Sequence, residues 1–398
     1  MSVGAALFWL ATLALAWVYA GYPLLAWAVA RARPLRLRPQ PIPRSTVTVG
    51  IAAHDEADEL EGRVADIVAQ TGDFDLEVVV ASDGSSDNSV AILARLAAAD
   101  PRVRYLDLQR SGQTVAQAEI FAVATGDIVV LSDAETRFAP DFLARLIAPF
   151  ADPRVGCTTG RLLWAGADQT STSRSEGVYW RYEQLVRRLE SRAGWLTAAT
   201  GALLAVRRSC YRPVPAYASM DHLLPLYVRD QGMQVIAVED AVGVDRPIAG
   251  LRDQFRNRTR TATRGIRANL SMTARLTPWR RPTAFLAVWS HKVLRWATPL
   301  FGLLAVGGAA WAAADGQPLY LIPVALIAAA AGLGLVGLRN RRTGRSLRLI
   351  DIPAAVVVVN AAFLTGWANV VMGRRIGAWH RTDWAAAPPG SAHEADSR

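Results

Sequence analysis

An α/β domain on a mostly parallel sheet, joined to an α-helical membrane section, is the fold class that the sequence predicts. Three observations predict it. Short apolar, β-rich runs alternate with helical segments between residues 46 and 150. Long apolar stretches free of charge lie near both ends of the chain. Acidic residues recur just after the predicted strands, at the edge where open α/β sheets bind ligands.

The membrane section comes first along the chain. Residues 5–30 are apolar without a single charge, and residues 297–314, 319–338 and 352–373 are nearly as clean. A span needs roughly 20 apolar residues to cross the hydrocarbon core. Met1–Gly4 carries no basic residue and the first apolar run is long, so it reads as a helix and not as a cleaved signal. Basic residues then set the orientation. Arg31, Arg33, Arg36, Arg38 and Arg44 follow the first span, which places the amino terminus outside and residues 31–296 in the cytoplasm at the inner membrane. The loop with Arg339, Arg341, Arg342, Arg345 and Arg348 returns inside. Arg374, Arg375 and Arg381 run against that rule if 352–373 crosses, so the topology of this last segment stays open.

The chain divides accordingly into a span at 1–31, a Pro- and Arg-rich linker at 32–45, a cytoplasmic domain at 46–250, a basic amphipathic segment at 251–296, spans at 297–373 and a tail at 374–398. In the domain, strands are expected at Thr46–Ala53, Leu76–Ser82, Val103–Leu108 and Asp127–Ser132. Helices are expected at Asp58–Gln70, Asn88–Ala99, Thr114–Thr125 and Pro140–Phe150, the last with proline at its start. Strands this apolar, alternating with helices, indicate a parallel sheet covered on both faces. The second half is less regular. It offers a helix at Thr172–Arg192 and strands at Ala198–Val206 and Val235–Val238. The stretch Leu251–Leu276 is expected to lie along the membrane surface.

Composition excludes some functions. The net charge of +10 is carried almost wholly by arginine, and in a membrane protein it is accounted for by anionic headgroups. No base-reading element accompanies it, so nucleic acid is not an expected partner. Two cysteines, Cys157 and Cys210, permit no metal cluster. A transporter would need ionisable residues within its spans. Asn360 and Asn369 are polar residues there that either line a groove or bond neighbouring helices.

Three acidic sites fall at one sheet edge: His54-Asp55-Glu56, Asp83-Gly84-Ser85-Ser86-Asp87 and Asp133-Ala134-Glu135. A fourth carboxylate, Asp221, follows a loop. Each also has a structural account. Asp87 caps a helix, Asp133 and Glu135 form a solvated turn, and Asp221 is an N-cap. Their recurrence at successive strand ends favours a ligand site. An Asp-x-Glu spacing in extended backbone puts both side chains on one side. Hard oxygen ligands of this kind hold Mg²⁺ or Mn²⁺ together with a nucleotide diphosphate, and the metal stabilises a leaving diphosphate.

The runs VTVGIAAHDE (47–56), VVVASDGSSDNS (78–89) and GDIVVLSDAETRFAPDFLARLIAPFADPRVG (126–156) resemble family 2 glycosyltransferases, in particular the membrane-bound cellulose synthase-like and poly-N-acetylglucosamine synthase-like branch. YWRYE (179–183), GALLAVRR (201–208), MDHLLPLYV (220–228) and SHKVLRW (290–296) fit it too. The resemblance implies a GT-A Rossmann-like domain that transfers a sugar, with inversion, from a nucleotide-sugar, commonly a uridine one. The acceptor would be a glycan, a lipid carrier or another membrane-proximal group. It implies that Asp83, with Asp55 and Glu56, contacts the nucleotide, that Asp133 and Glu135 hold Mg²⁺ or Mn²⁺ at the diphosphate, that Arg260 joins the donor site, and that Asp221 is the general base.

The chain departs from the pattern. Gln113 stands where lysine is usual, Glu135 where asparagine or aspartate is usual, and Thr200 and Met220 where acidic residues are usual. The Gln-x-x-Arg-Trp motif of processive synthases is absent; its nearest counterpart is Arg260-Thr261. These losses put processive synthesis in doubt. They keep a second reading in view, a catalytically degenerate partner in a polysaccharide-assembly or export complex.

Overall fold

The computed structural model describes residues 2–41, 44–165, 171–246, 250–342 and 348–374. Eight strands form one sheet in the order β3-β2-β1-β4-β7-β6-β8-β5. They are β1 (Ser45–Ala53), β2 (Phe74–Asp83), β3 (Val103–Leu108), β4 (Ile128–Ser132), β5 (Arg137–Phe138), β6 (Val155–Trp164), β7 (Leu204–Arg207) and β8 (Gln234–Asp245). β1, β2, β3 and β4 run parallel. β7 is antiparallel to both β4 and β6, and β6 pairs in parallel with β8. Two reversals restore the direction, so β6 and β8 end at the same edge as β1, β2 and β4.

The parallel half follows from composition. Val78, Val79, Val80 and Ala81 of β2 and Val129, Val130 and Leu131 of β4 have no exposed surface, so side chains on both faces must be apolar. The elements of the first half lie within a few residues of the expected ones. β6 and the full length of β8 were not anticipated. Their runs mix threonine, glycine and charge, which breaks the apolar pattern that marks β2 and β4; of them only Leu162, Trp164 and Asp245 line the cavity described below. Of the expected strand at 198–206 only Leu204–Val206 is ladder-paired, in a strand that runs on to Arg207.

The helices are α1 (Val3–Ala32), α2 (Ala57–Val68), α3 (Ser89–Ala99), α4 (Gln113–Val123), α5 (Phe142–Ile147), α6 (Ser171–Ala193), α7 (Met220–Asp230), α8 (Leu251–Ser271), α9 (Pro282–Trp296), α10 (Thr298–Ala314), α11 (Leu321–Arg342) and α12 (Arg348–Val371). Among the described residues, three helical stretches are long and apolar enough to span a membrane: Val3–Ala32, Pro318–Asn340 and Ile352–Val371. The expected span at 297–314 is the second arm of a pair, α9 and α10, that is bent by 62° and is either a broken span or a re-entrant loop. α1 packs backbone to backbone on α10. A Cβ on Gly308 would stand 2.6 Å from the Phe8 amide nitrogen, so glycine is required for that approach. Asn369 donates to Thr263 across helices at 3.4 Å, and Asn360 accepts from Thr298 at 3.5 Å, which settles both as interhelical bonds. Arg345, Arg375 and Arg381, on which the orientation argument drew, lie outside the described residues.

Two segments make contacts that the sequence did not show. α8, the expected interface segment, joins the cavity to the membrane-section helices. One face of it carries Asn257, Arg260, Thr261 and Arg264 into the cavity described below, and the other packs Ala262 and Ile266 against Phe363 and Trp367 of α12. Its arginines read as basic surface, but Thr259, Thr263 and Asn269 between them are buried. The linker is also pinned to the domain. The Arg38 amide donates to Asp152 at 2.7 Å, and the Leu35 amide donates to the Arg192 carbonyl at 2.7 Å.

Candidate active site

A cavity of about 220 Å³ opens at the carboxyl edge of β4, β6 and β8, where the topology places a ligand. Asp133 and Glu135 follow β4, Trp164 ends β6 and Asp245 ends β8; all four line it. Gly201 and Ala202 form one wall, Met220, Asp221 and His222 open α7 with Asp221 beside Gly201, and α8 supplies Arg260 and Arg264. Sequence positions more than a hundred residues apart thus meet in one space.

The electrostatics are dominated by carboxylates. Burial pushes the Asp133 carboxyl up, and Asp221 nearby pushes it further, while Arg260 and Arg63 pull back; it comes to about 6. Burial, Asp133 and Asp245 together raise Glu135 well above the ordinary range. Asp245 rises to about 7, through burial and then through Asp133. Asp221 goes the other way. Burial pushes it up, but His222, a hydrogen bond from Ser219 and the Arg264 charge outweigh that and hold it below the usual range. Asp221 is therefore held as the carboxylate, while its neighbours repel one another.

Local structure explains how each side chain is held. Gln113, at the start of α4, donates from Nε2 to Asp133 Oδ1 at 3.2 Å. Arg63 has no exposed surface, donates to Ser132 at 2.7 Å and lies 3.9 Å above the Phe138 ring, a fixed cation beneath the β4 end. Arg264 donates to Thr114 and to the Ala218 carbonyl, tying α8 to α4 and to the loop before α7. Arg260 is bonded to Asn257 at 2.9 Å and lines the cavity. Ser219, not Asp221, is the N-cap residue of α7, so capping does not explain Asp221. Thr200 is held by Arg187 at 2.7 Å.

The other expected residues stand at the same sheet edge but outside the cavity lining. Asp83 has no exposed surface. Its carboxylate accepts from the Ser111 amide at 2.6 Å, the Gly112 amide at 2.9 Å and Arg110 at 3.2 Å, so in this conformation it organises the 110–112 loop. Asp55 takes a positive φ of 53° and accepts from the Ser86 amide at 2.7 Å. Glu56 is buried, with its amide bonded to Ser89 at 3.2 Å. Asp87 accepts from the Ala57 and Ser89 amides at 3.1 and 2.9 Å, the capping role read for it.

The sequence reading missed Asp245, Arg63, His222 and Trp164. Asp245 carried the signal used for the others, an acid at the end of an apolar strand, but its strand was cut short at Val238. Arg63 was legible as a lone cation on the apolar face of α2.

Among the described residues, no group of three or more His, Cys, Asp or Glu side chains converges as a metal site. Two cavity-lining carboxylates in an Asp-x-Glu pair suit a hard cation that completes its shell with water and diphosphate oxygens. They do not suit a metal held by protein alone.

Residues 48–213 match the family described as glycosyl transferase family 2. Proteins named N-acetylglucosaminyltransferase from Bradyrhizobium diazoefficiens and Mesorhizobium japonicum are each 27% identical to this chain. The first alignment covers 47% of this chain and 42% of the relative, and the second covers 50% and 51%. The chain thus spans about half the length of the curated relatives it matches. A mannosyltransferase from Pyrobaculum calidifontis, in complex with GDP-Man and Mn²⁺, superposes with a TM-score of 0.69 at 24% identity, over 92% of this chain and 99% of that one. This likeness shows a shared fold. The chain thus carries, at residues 48–213, a domain similar to the family 2 glycosyltransferases, built as a GT-A fold.

Proposed function

We propose that this chain is a membrane-bound inverting glycosyltransferase. It moves a sugar from a nucleotide-diphosphate-sugar to a glycan- or lipid-linked acceptor at the cytoplasmic face of the inner membrane. The names of the relatives make UDP-N-acetylglucosamine the first donor to test. One observation carries the reading. An ionised Asp221 shares a cavity with the Asp133–Glu135 pair and with Arg260, so a base, a cation site and a fixed positive charge surround one space.

In this reading the nucleotide lies along the sheet edge formed by Asp55, Glu56 and the loop that Asp83 organises. The diphosphate faces Asp133 and Glu135. A bound Mg²⁺ or Mn²⁺ supplies charge that stabilises the leaving diphosphate. Arg260 adds a guanidinium whose planar donors match phosphate oxygens. Asp221 accepts the proton of the acceptor hydroxyl as that oxygen bonds to the anomeric carbon. The bond from that carbon to the diphosphate breaks, and the electron pair leaves with the nucleotide. Attack opposite the leaving group inverts the centre. α8 joins the cavity to α12, a helix long and apolar enough to cross a membrane, which supports a membrane-proximal acceptor.

The test is transfer of radiolabelled sugar from UDP-N-acetylglucosamine, with GDP-mannose for comparison, into lipid and glycan fractions of membranes holding the protein. Labelled product that needs Mn²⁺ or Mg²⁺ and disappears in Asp221→Asn supports the reading. Donor binding without product in any fraction supports the degenerate-partner reading, to which Thr200 and Met220 at acidic positions point.

A further inference from the structure

His222 lines the cavity beside Asp221. Its Nδ1 lies 3.1 Å from Asp221 Oδ1 and 2.8 Å from Ser219 Oγ. An ionised carboxylate can only accept, so the contact with Oδ1 is a hydrogen bond only when Nδ1 carries the proton and donates it, with the Ser219 hydroxyl beside it.

The ring is fixed from the opposite side by a membrane-section element. Trp296, 6% exposed, sits with its ring centroid 6.0 Å from that of His222. α8 passes between them at Gly265. A Cβ there would lie 2.7 Å from His222 Nε2 and 2.5 Å from the Trp296 indole, so any side chain at 265 displaces one of the two rings. Trp296 closes the SHKVLRW run of the bent helix α9. In that run Lys292 donates to Glu183 at 2.7 Å and Arg295 also pairs with Glu183. The indole is therefore anchored, and the imidazole is held between it and the carboxylate.

We infer that His222 is a positioning residue for the base. Its Nδ1–H fixes the Asp221 carboxylate, and Trp296, carried by the helix that bends into the membrane section, fixes His222. The inference rests on Asp221 being the base in the reading above. It ties the geometry of the sugar-transfer step to the seating of α9.

The experiment compares wild type, His222→Ala, His222→Asn and Trp296→Leu in lipid nanodiscs, by transfer kinetics and by calorimetric donor binding. His222→Ala is expected to lower kcat about 10- to 100-fold, the scale of a misplaced reacting group, with donor Kd unchanged. The asparagine amide reaches the place of Nδ1–H and should restore most of the rate. Trp296→Leu should fall between the two. An unchanged kcat in His222→Ala, donor affinity falling in step with kcat, or no rescue by asparagine overturns the inference. Nitrogen-15 NMR of the imidazole provides a readout without turnover. Wild type should show the Nδ1–H tautomer, and Asp221→Ala should shift the ring to Nε2–H. The same tautomer in both overturns the His222–Asp221 contact. A wild type with the expected tautomer but no transfer defeats the enzymatic reading alone.

Discussion

Glu183 and Glu135 are both carboxylates held inside the protein, and their surroundings are opposite. Glu183 of α6 is 3% exposed and pairs with Arg187 at 2.9 Å, Lys292 at 2.7 Å, His291 at 3.2 Å and Arg295. Burial pushes it up, but Lys292, His291, Arg295 and Arg187 together hold it well below the ordinary range. Glu135 has carboxylates for neighbours, and burial, Asp133 and Asp245 all push it up. A buried charge is tolerated when paired and costly when not. The Glu183 cluster is complete as the chain folds and joins α6 to α9. The Glu135 cluster is short of positive charge, and in the proposed reading a cation arriving with the ligand would complete it. The first is built for assembly, the second for binding.

The largest expected effect breaks the second cluster at its base. Asp221→Asn should reduce sugar transfer by about 10²- to 10⁴-fold, the usual worth of a general base, while calorimetry finds donor affinity intact. Undiminished transfer removes Asp221 from the mechanism.

Glu183→Ala tests the opposite region. It leaves buried cations without their partner, which costs about 3–5 kcal/mol of stability. Thermal unfolding should move down while protein that remains folded binds donor as before. A variant with wild-type stability and impaired donor binding would place Glu183 in the site after all.

Asp133→Ala should weaken metal-dependent donor binding by more than the roughly 10–100-fold typical of losing an outer-shell group. Its smaller companion effect sharpens the contrast. Removing one of several repelling carboxylates should leave ligand-free stability unchanged or slightly raised, the reverse of Glu183→Ala, and a melting curve in the absence of metal checks it.

The smallest effect concerns pH. Asp133 and Asp245 have carboxyls raised to about 6 and about 7 in the folded state. The folded protein therefore holds protons that the unfolded chain has lost, and these groups contribute stability that declines as pH rises through those values. Metal binding needs the ionised form, so it runs the other way. Stabilisation by Mn²⁺ with donor should grow between about pH 5.5 and about pH 8, by up to roughly tenfold in affinity per pH unit for each proton released. Titration calorimetry at the two pH values checks the sign.

Much of this contrast was readable in the sequence, for a physical reason. Acids at the ends of apolar strands are visible because the strands are uniformly apolar. Asp133, Glu135 and the β1–β4 half of the sheet were legible on that ground, and Asp221 and Arg260 through the family resemblance. Asp245 was hidden because β8 alternates, with Glu239 and Asp240 in its middle, and so does not read as a strand to its end. The cavity face of α8 was hidden because arginines that line a ligand site and arginines that meet lipid headgroups have the same pattern; only Gly265 and the buried threonines distinguish them. The Glu183 cluster was hidden for another reason. Its members come from YWRYE and SHKVLRW, more than a hundred residues apart, and no local pattern announces that they pair. Asp83 shows the limit from the other side. Its strand-end position was right, but its acceptors are taken by the 110–112 loop, which depends on the backbone path alone.

The central claim is that the Asp133–Glu135 cavity takes a nucleotide-sugar with a divalent cation. Calorimetric titration of UDP-N-acetylglucosamine and GDP-mannose into purified protein, with and without Mn²⁺, tests it most directly, beside Asp133→Ala. The account predicts binding of at least one donor that requires the metal and is lost in the variant. Folded wild-type protein that binds neither donor, or binds one equally without metal and without Asp133, would contradict it.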